Sequence, residues 1–290
     1  MENTMVNGHI TWEWWYKSME YHAKNYIPWW ETMMEEIHSG TYCNHIWMIG
    51  PSGYFGRIGD VKFAVDTAWW IPGTFEEVAP KLEKDMGSLD FVMFTHDHGD
   101  HFMVEQIATA KNSDTKWIIP KCMERAFLRT GVPKENCIFL EAGDEVMVKD
   151  ARIEAFLGHH HYLDGTKGPE SLMYTIKTAE KNVFITSDVR DYNPEYIPKG
   201  SHFDSVIFNI YISKESGYAY PFSDYYPLAV EFAAAMDTQN LLVGHLYGFG
   251  CPGPDEIWNF MHVGMLEDGL YCLRPDMEVH ALKTGKRYAL

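Results

Sequence analysis

Basic residues are scarce in this chain of 290. Its 24 lysines and arginines stand against 41 aspartates and glutamates, for a formal net charge of −17. A surface of that sign repels polyphosphate backbones, whose binding draws on Lys and Arg releasing counterions, and no Lys/Arg-rich run supplies a local exception. Nucleic acid is therefore not expected as a partner. No apolar run approaches the roughly 18 residues that a membrane helix needs, so no membrane association is expected. The first residues, MENTMVNGHITWEWW, lack the basic stretch and continuous apolar segment of a secretory signal. Cysteine is sparse as well. The five (Cys43, Cys122, Cys137, Cys251 and Cys272) are scattered, odd in number and without a Cys-x-x-Cys pair. That pattern speaks for reduced thiols and a cytoplasmic location rather than a disulfide scaffold. Repeats of fixed period and low-complexity linkers are missing, and GPSGYFG (50–56) has neither the spacing nor the following helix of a dinucleotide loop.

What is present is apolar mass: 46% of the residues are hydrophobic and 15% of the chain is aromatic, enough for a substantial core and against wholesale disorder. Five of the ten tryptophans fall before residue 45. There Trp12, Trp15, Met19, Ala23 and Tyr26 recur at helical spacing, Pro28 is expected to end or kink that helix, and Met33, Met34 and Ile37 predict a second short helix closed by Gly40. We therefore read 1–42 as a helical N-terminal extension. Its apolar surface exceeds what so short an appendage buries on itself, which predicts a homo-oligomer with this segment near an interface. From 43 to 290 strand-like blocks bounded by Gly or Pro alternate with helices in one continuous α/β domain. The strand blocks are NHIWMIG, YFGRIG, VKFAVD, 89–94, KWIIP, NCIFLEAG, EVMVKD, ARIEAFLG, SLMYTIKT, NVFITSD, SVIFNIY, NLLVGH, MEVHAL and KRYAL. Helices are expected at TFEEVAPKLEKD, from about 101 to 110, over KCMERAFLRTG, over 226–237 and near 255–267.

One strand-to-helix turn stands out. After the apolar LDFVMF comes His96-Asp97-His98-Gly99-Asp100-His101, three imidazoles and two carboxylates in six residues. Packing gains nothing from such a cluster. Further ligand-type residues each follow an apolar strand: His159, His160 and His161 after ARIEAFLG, Asp188 after NVFITS, His245 after NLLVG. Ligands at strand ends share one edge of a sheet scaffold, so residues far apart in sequence can converge. Imidazole and carboxylate suit zinc, manganese or iron, and a shared carboxylate lets two such ions sit about 3.5–4 Å apart. Asp188 alone reads equally well as a turn cap and His245 as a core histidine; their common strand-end placement favours the metal reading. His9, His22, His38, His202, His262 and His280 have no such context and read as structural or solvated.

With these residues the chain resembles the metallo-β-lactamase superfamily of metal-dependent hydrolases, from about residue 45 onward. It is most similar to the L-ascorbate-6-phosphate lactonase-like branch, on the stretch PKCMERAFLRTGVPKENCIFLEAGDEVMVKDARIEAF (120–156) and on the tail near GLYCLRPDMEVHALKTGKRY. The resemblance implies an αββα sandwich of two mixed β-sheets flanked by helices, with the Trp-rich helical extension before it, and two divalent metal ions per chain, zinc or manganese. It assigns His96 and His98 to the first ion, Asp100, His101 and His245 to the second, and Asp188 as the bridge. The remaining ligand comes from the His triplet: the family's spacing points to His160 with His159 next, and parity along the strand does not settle it. At this position the branch carries a carboxylate, so its metal preference and substrate do not transfer directly. Asp66, ending VKFAVD, matches an aspartate that supports the ligand loop.

The activity implied is hydrolysis by a metal-bridging hydroxide, with Asp97 and Asp100 at the catalytic centre and Asp97 handling a proton. Arg190, Tyr192 and Tyr247, just past ligand positions, are expected to orient a small-molecule substrate. A lactone of a sugar acid, phosphorylated or not, or a related small ester is the expected class. A phosphodiesterase or nuclease of the same fold is the alternative that the charge disfavours. A non-catalytic metal-binding protein is the other, and structural sites favour Cys and four closed ligands.

Overall fold

Short runs of apolar and turn residues do not reveal how strands pair, and here pairing sets the site. The computed structural model describes residues 12–69, 71, 73–161, 167–210, 225–246 and 260–290. In the first half, β1 (Asn44–Met48), β2 (Tyr54–Ile58) and β3 (Val61–Val65) form an antiparallel meander. The strands β4 (Phe91–Met93), β5 (Lys116–Pro120) and β6 (Cys137–Leu140) then add in parallel. The second half repeats the plan. Its strands β7 (Glu145–Val148), β8 (Ala151–His161), β9 (Lys167–Lys177) and β10 (Asn182–Ile185) run antiparallel, and β11 (Ser205–Asn209), β12 (Asn240–Gly244) and β13 (Glu278–Ala281) follow in parallel. A last strand, β14 (Arg287–Ala289), returns to the first sheet beside β1. The sheet orders are β14-β1-β2-β3-β4-β5-β6 and β13-β12-β11-β10-β9-β8-β7.

Three apolar clusters define four layers. Between the sheets lie Ile46, Met48, Phe63, Val65, Phe91, Ile153, Leu172, Ile185, Ile207 and Leu242. On the outer face of the first sheet, α1 (Trp12–Ser39) and α2 (Thr74–Met86) cover Trp47, Phe55, Val92 and Trp117. The outer face of the second packs Phe184, Phe208 and Val243 against α5 (Tyr225–Ala234) and α6 (Phe260–Tyr271). This is the αββα sandwich expected from the sequence.

Helix α1 departs from the expected pair of helices, since it runs unbroken through Pro28. An interior proline costs about 3 kcal/mol through its missing N–H and its clash with the preceding turn. Trp30, Met33, Met34 and Ile37, all buried beyond that point, each contribute about 1.5–3 kcal/mol, so packing outweighs the proline. Polar anchors fix the helix further: Trp30 Nε1 donates to Asp85 at 2.7 Å, Tyr26 Oη to the carbonyl of Ile49 at 2.8 Å, and Glu36 pairs with Arg287. Met19, Tyr26, Trp30 and Ile37 lie inside one cluster with the sheet, while the side chains of Trp12 and Trp15 lie outside the described residues.

Two other expected helices are shorter than their patterns. In place of 101–110 there is α3 (Val104–Ile107) and a 3-10 turn, because His101 and Phe102 donate their N–H groups back to the carbonyl of His98 and are spent on the loop. In place of 121–131, α4 (Glu124–Phe127) sits between 3-10 turns, closed by Gly131 at φ 80°. Among the described residues no helix is long and apolar enough to cross a membrane.

Candidate metal centre

The site is built where strands stop. Past β3 stands Asp66, past β4 the His96–His101 loop, at the end of β8 His160, past β10 Asp188, and past β12 His245. Several of these stops turn abruptly: Asp66 (φ 50°), Ser187 (φ 55°) and His245 (φ 59°) adopt the left-handed backbone that side chains other than Gly rarely take. Such outliers persist only where surrounding structure holds them, and they gather at functional sites.

Among the described residues three trios of potential ligand atoms emerge, each with its atoms within 4.8 Å of one another: His96, His98 and His160; His96, His101 and Asp188; Asp100, His101 and His245. Asp188 sits in the middle. Its Oδ2 lies 3.1 Å from His245 Nε2, 3.2 Å from His101 Nε2, 3.8 Å from His160 Nε2 and 3.9 Å from His96 Nε2. Asp100 Oδ2 lies 3.3 Å from His245 Nε2 and 3.7 Å from His101 Nε2. Of the triplet, the structure brings in His160, which is buried; His159 is half-buried and meets the ring of Tyr196 edge-on at 5.3 Å. A shift of register between His159 and His161 overrides simple strand parity. Close approach of β9 needs Gly168, where a Cβ would fall 1.6 Å from the His160 carbonyl oxygen.

A shell of hydrogen bonds holds the candidate ligands. Asp66, buried, accepts from Thr95 N–H (2.8 Å), from Thr95 Oγ1 (2.7 Å) and from His101 Nδ1 (2.9 Å). This fixes the His101 tautomer with Nε2 toward the cluster. Ser52 Oγ donates to the Asp100 carbonyl at 2.7 Å, Leu172 N–H to the Thr95 carbonyl at 2.9 Å, and His245 Nδ1 faces the Ile210 carbonyl at 3.2 Å. Asn209 Nδ2 donates to Asp188 Oδ1 at 2.9 Å, and Tyr54 Oη donates to Asn209 Oδ1 at 2.7 Å. Thr95, Ser52, Tyr54 and Asn209 were not singled out from the sequence. Asn209 carried the same signal as Asp188 and His245, a polar residue closing a buried strand; the others carried none.

Electrostatics divide the histidines in two. Burial holds His96 well below the ordinary histidine value, lowers His98, and brings His160 down to about 3. These stay neutral, the form that ligates. Burial opposes a proton on His101 too, but Asp188, Asp100 and Asp66 outweigh it and hold that group well above the ordinary value. His245 follows the same balance, with burial against and Asp188 and Asp100 for, and rises to about 9. Burial would raise Asp188 and Asp100; the facing His101 and His245 instead depress both. The protons of His101 and His245 thus stand where cations would. Among the described residues, His96 Nε2 is buried with no hydrogen-bond partner, which a buried imidazole nitrogen seldom tolerates without a ligand. The donor set, all imidazole and carboxylate and without thiolate, fits divalent transition ions with open positions.

The remaining expected residues scatter. Asp97 is exposed on the loop and joins none of the trios. Arg190 is half-buried; its N–H donates to the His159 carbonyl at 3.3 Å, and its charge bears on His98 and His160. The Tyr192 backbone turns at φ 46°, and its ring is buried beside Phe208 and Phe232, both at 5.9 Å. Tyr247 lies outside the described residues.

Residues 63–246 match the family described as the beta-lactamase superfamily domain. A 70-residue stretch is 41% identical to the probable L-ascorbate-6-phosphate lactonase UlaG of Escherichia coli, covering 23% of this chain and 20% of that protein. The match thus spans about a fifth of the length of the curated relatives. Among solved structures, the metallo-beta-lactamase fold protein YhfI from Bacillus subtilis superposes with a TM-score of 0.60 at 18% identity, over 84% of this chain and 98% of that one. Igni18, a metallo hydrolase from Ignicoccus hospitalis, gives a TM-score of 0.60 at 13% identity, over 85% and 98%. At such identities the superpositions speak for the fold.

Proposed function

Given that the chain belongs to the beta-lactamase superfamily, we propose that it is a binuclear metal-dependent hydrolase that opens the lactone ring of a sugar acid, with or without a phosphate, or cleaves a related small ester. The observation that carries the reading is the single oxygen of Asp188 set among four imidazoles, flanked by Asp100. Seven ligands, His96, His98, Asp100, His101, His160, Asp188 and His245, exceed what one closed structural site takes. Bound divalent cations, zinc or manganese, supply a nucleophilic water near neutral pH and polarise the carbonyl under attack.

The chain's own residues do the rest. Water oxygen bonds to the acyl carbon, the ring C–O bond breaks, and a proton must reach the departing ring oxygen. We assign that proton to Asp97, which is exposed on the same loop. Arg190, on the His98 and His160 side, offers a cation for an anionic substituent. An excess of 17 negative charges disfavours a polyanion, whereas one small anionic metabolite needs only a local cation. The partial likeness to UlaG supports the lactone class.

A panel of sugar-acid lactones, small esters, DNA and RNA at physiological salt, each with and without chelator, tests the reading. Chelator-sensitive opening of lactones is expected, with nucleic acid untouched. Chelator-sensitive cleavage of nucleic acid beside silent lactones would overturn it.

A further inference from the structure

Asp188 has two oxygens and the structure treats them differently. Oδ2 faces the four imidazoles, while Oδ1 accepts from Asn209 Nδ2 at 2.9 Å. An ionised carboxylate can only accept, so the Asn209 amide must present its NH2 there and turn its oxygen the other way. That oxygen meets the Tyr54 hydroxyl at 2.7 Å, which must then donate. Burial holds the Tyr54 hydroxyl well above its usual value, so the proton stays on it. Each orientation in the row follows from the charge at its end.

The three residues come from separate places: Tyr54 from β2 of the first sheet, Asn209 from β11 of the second, Asp188 past β10. All three are buried. Asn209 is itself pinned, its backbone N–H donating to Thr186 Oγ1 at 3.2 Å. The phenol reaches across the sandwich only because residue 244 is glycine, since a Cβ there would stand 1.9 Å from the Tyr54 hydroxyl oxygen.

We propose that Tyr54 and Asn209 form a positioning relay that commits Oδ2 of Asp188 to the cations and withholds Oδ1 from them. Gly244 is the clearance the relay requires. This rests on the metal-dependent reading above. Neither residue touches substrate or ion; they act through Asp188.

The test uses the full chain and cobalt(II) as probe, with dissociation constants from competition titration and the visible spectrum as a record of coordination. Tyr54→Phe, Asn209→Leu and the double variant are compared, with circular dichroism to certify folding. Each single variant should weaken cobalt binding by about 10- to 100-fold and change the spectrum. The double variant should be no weaker than Asn209→Leu alone, because both act through one chain of bonds. Unchanged binding in folded Asn209→Leu, or losses that simply multiply, would overturn the relay. If Asn209→Leu fails to fold, Tyr54→Phe, which loses one oxygen and keeps the ring, decides alone. A parent that binds cobalt yet opens no lactone, with variants weakened as expected, sinks the lactonase reading and keeps the relay. A parent that opens lactones beside variants of parental affinity sinks the relay alone.

Discussion

Replacing Asp66 by Asn is the sharpest single probe of how the centre is held. The side chains are nearly isosteric, and the amide oxygen can still accept from Thr95 N–H, now at 2.8 Å from Oδ1. The NH2 then takes the place of Oδ2, facing Thr95 Oγ1 at 2.7 Å and His101 Nδ1 at 2.9 Å. A hydroxyl can turn to accept. His101 cannot keep its Nδ1 proton against another donor, so the proton moves to Nε2, the nitrogen that lies 3.2 Å from Asp188 Oδ2 and belongs to two of the ligand trios. A ligand presented in the wrong tautomer should cost about 10- to 100-fold in metal affinity, or ~1.4–2.7 kcal/mol. Stability of the metal-free protein should respond differently. Burial raises the Asp66 carboxyl above its ordinary value even against His101 and Thr95. A carboxyl with a raised folded value subtracts stability once pH exceeds it, so at neutral pH the neutral Asn removes that penalty while weakening hydrogen bonds worth about 1.5–3 kcal/mol each to a charged group. The two effects oppose. Competition titration should therefore show the affinity loss, urea unfolding of the metal-free protein a much smaller change, and histidine nitrogen shifts the altered tautomer. Affinity within twofold of the parent would refute the argument, as would an affinity loss matched by an equal loss of global stability.

Three further expectations follow from the same geometry. His160→Ala should abolish hydrolysis and weaken metal binding while His159→Ala is mild, and the reverse ranking in paired kinetic assays would show that the half-buried histidine is the ligand. Elemental analysis of metal-replete protein should approach two transition ions per chain and fall in Asp188→Ala; a ceiling of one, retained by that variant, would exclude a binuclear centre. Since His245 keeps its proton up to about pH 9 and His101 is also raised, metal binding at pH 7 must expel protons from both, so affinity should rise with pH through that range. Calorimetry in buffers of different ionisation heat should count a release approaching two, and none would contradict the cluster's charge state.

Much of this was legible in the sequence because the strands are short, mostly apolar runs, and the candidate ligand positions stand at or just past the ends of several of them. Asp188 and His245 needed no spacing rule beyond that. Helix lengths were less legible: Pro28 reads as a break from its chemistry, while Trp30 and Ile37 keep the helix whole by packing on a sheet that lies later in the chain. The left-handed turn at Tyr192, which sets its ring beside Phe208 and Phe232, has no signal in the sequence. His160 against His159 could not be settled from parity, because the ladder shifts register at that point. Tyr54 and Asn209 meet across 155 positions of chain, and no local pattern announces such a pair.

The way the first sheet is closed has a bearing on how the molecule comes together in time. His45 of β1 pairs with Ala289 of β14, and Leu290 N–H bonds the Asn44 carbonyl, so one of the earliest strands waits for one of the latest. Pairings between such remote segments defer their reward until a long loop has been closed, which slows folding. The candidate ligands share that fate: His96, His98, Asp100 and His101 ride on the first sheet, His160, Asp188 and His245 on the second. A cation gripped by both sets can exist only after the two sheets have docked. It would act as a late fastener, slowing the rate at which the sandwich comes apart while leaving the rate of assembly nearly untouched.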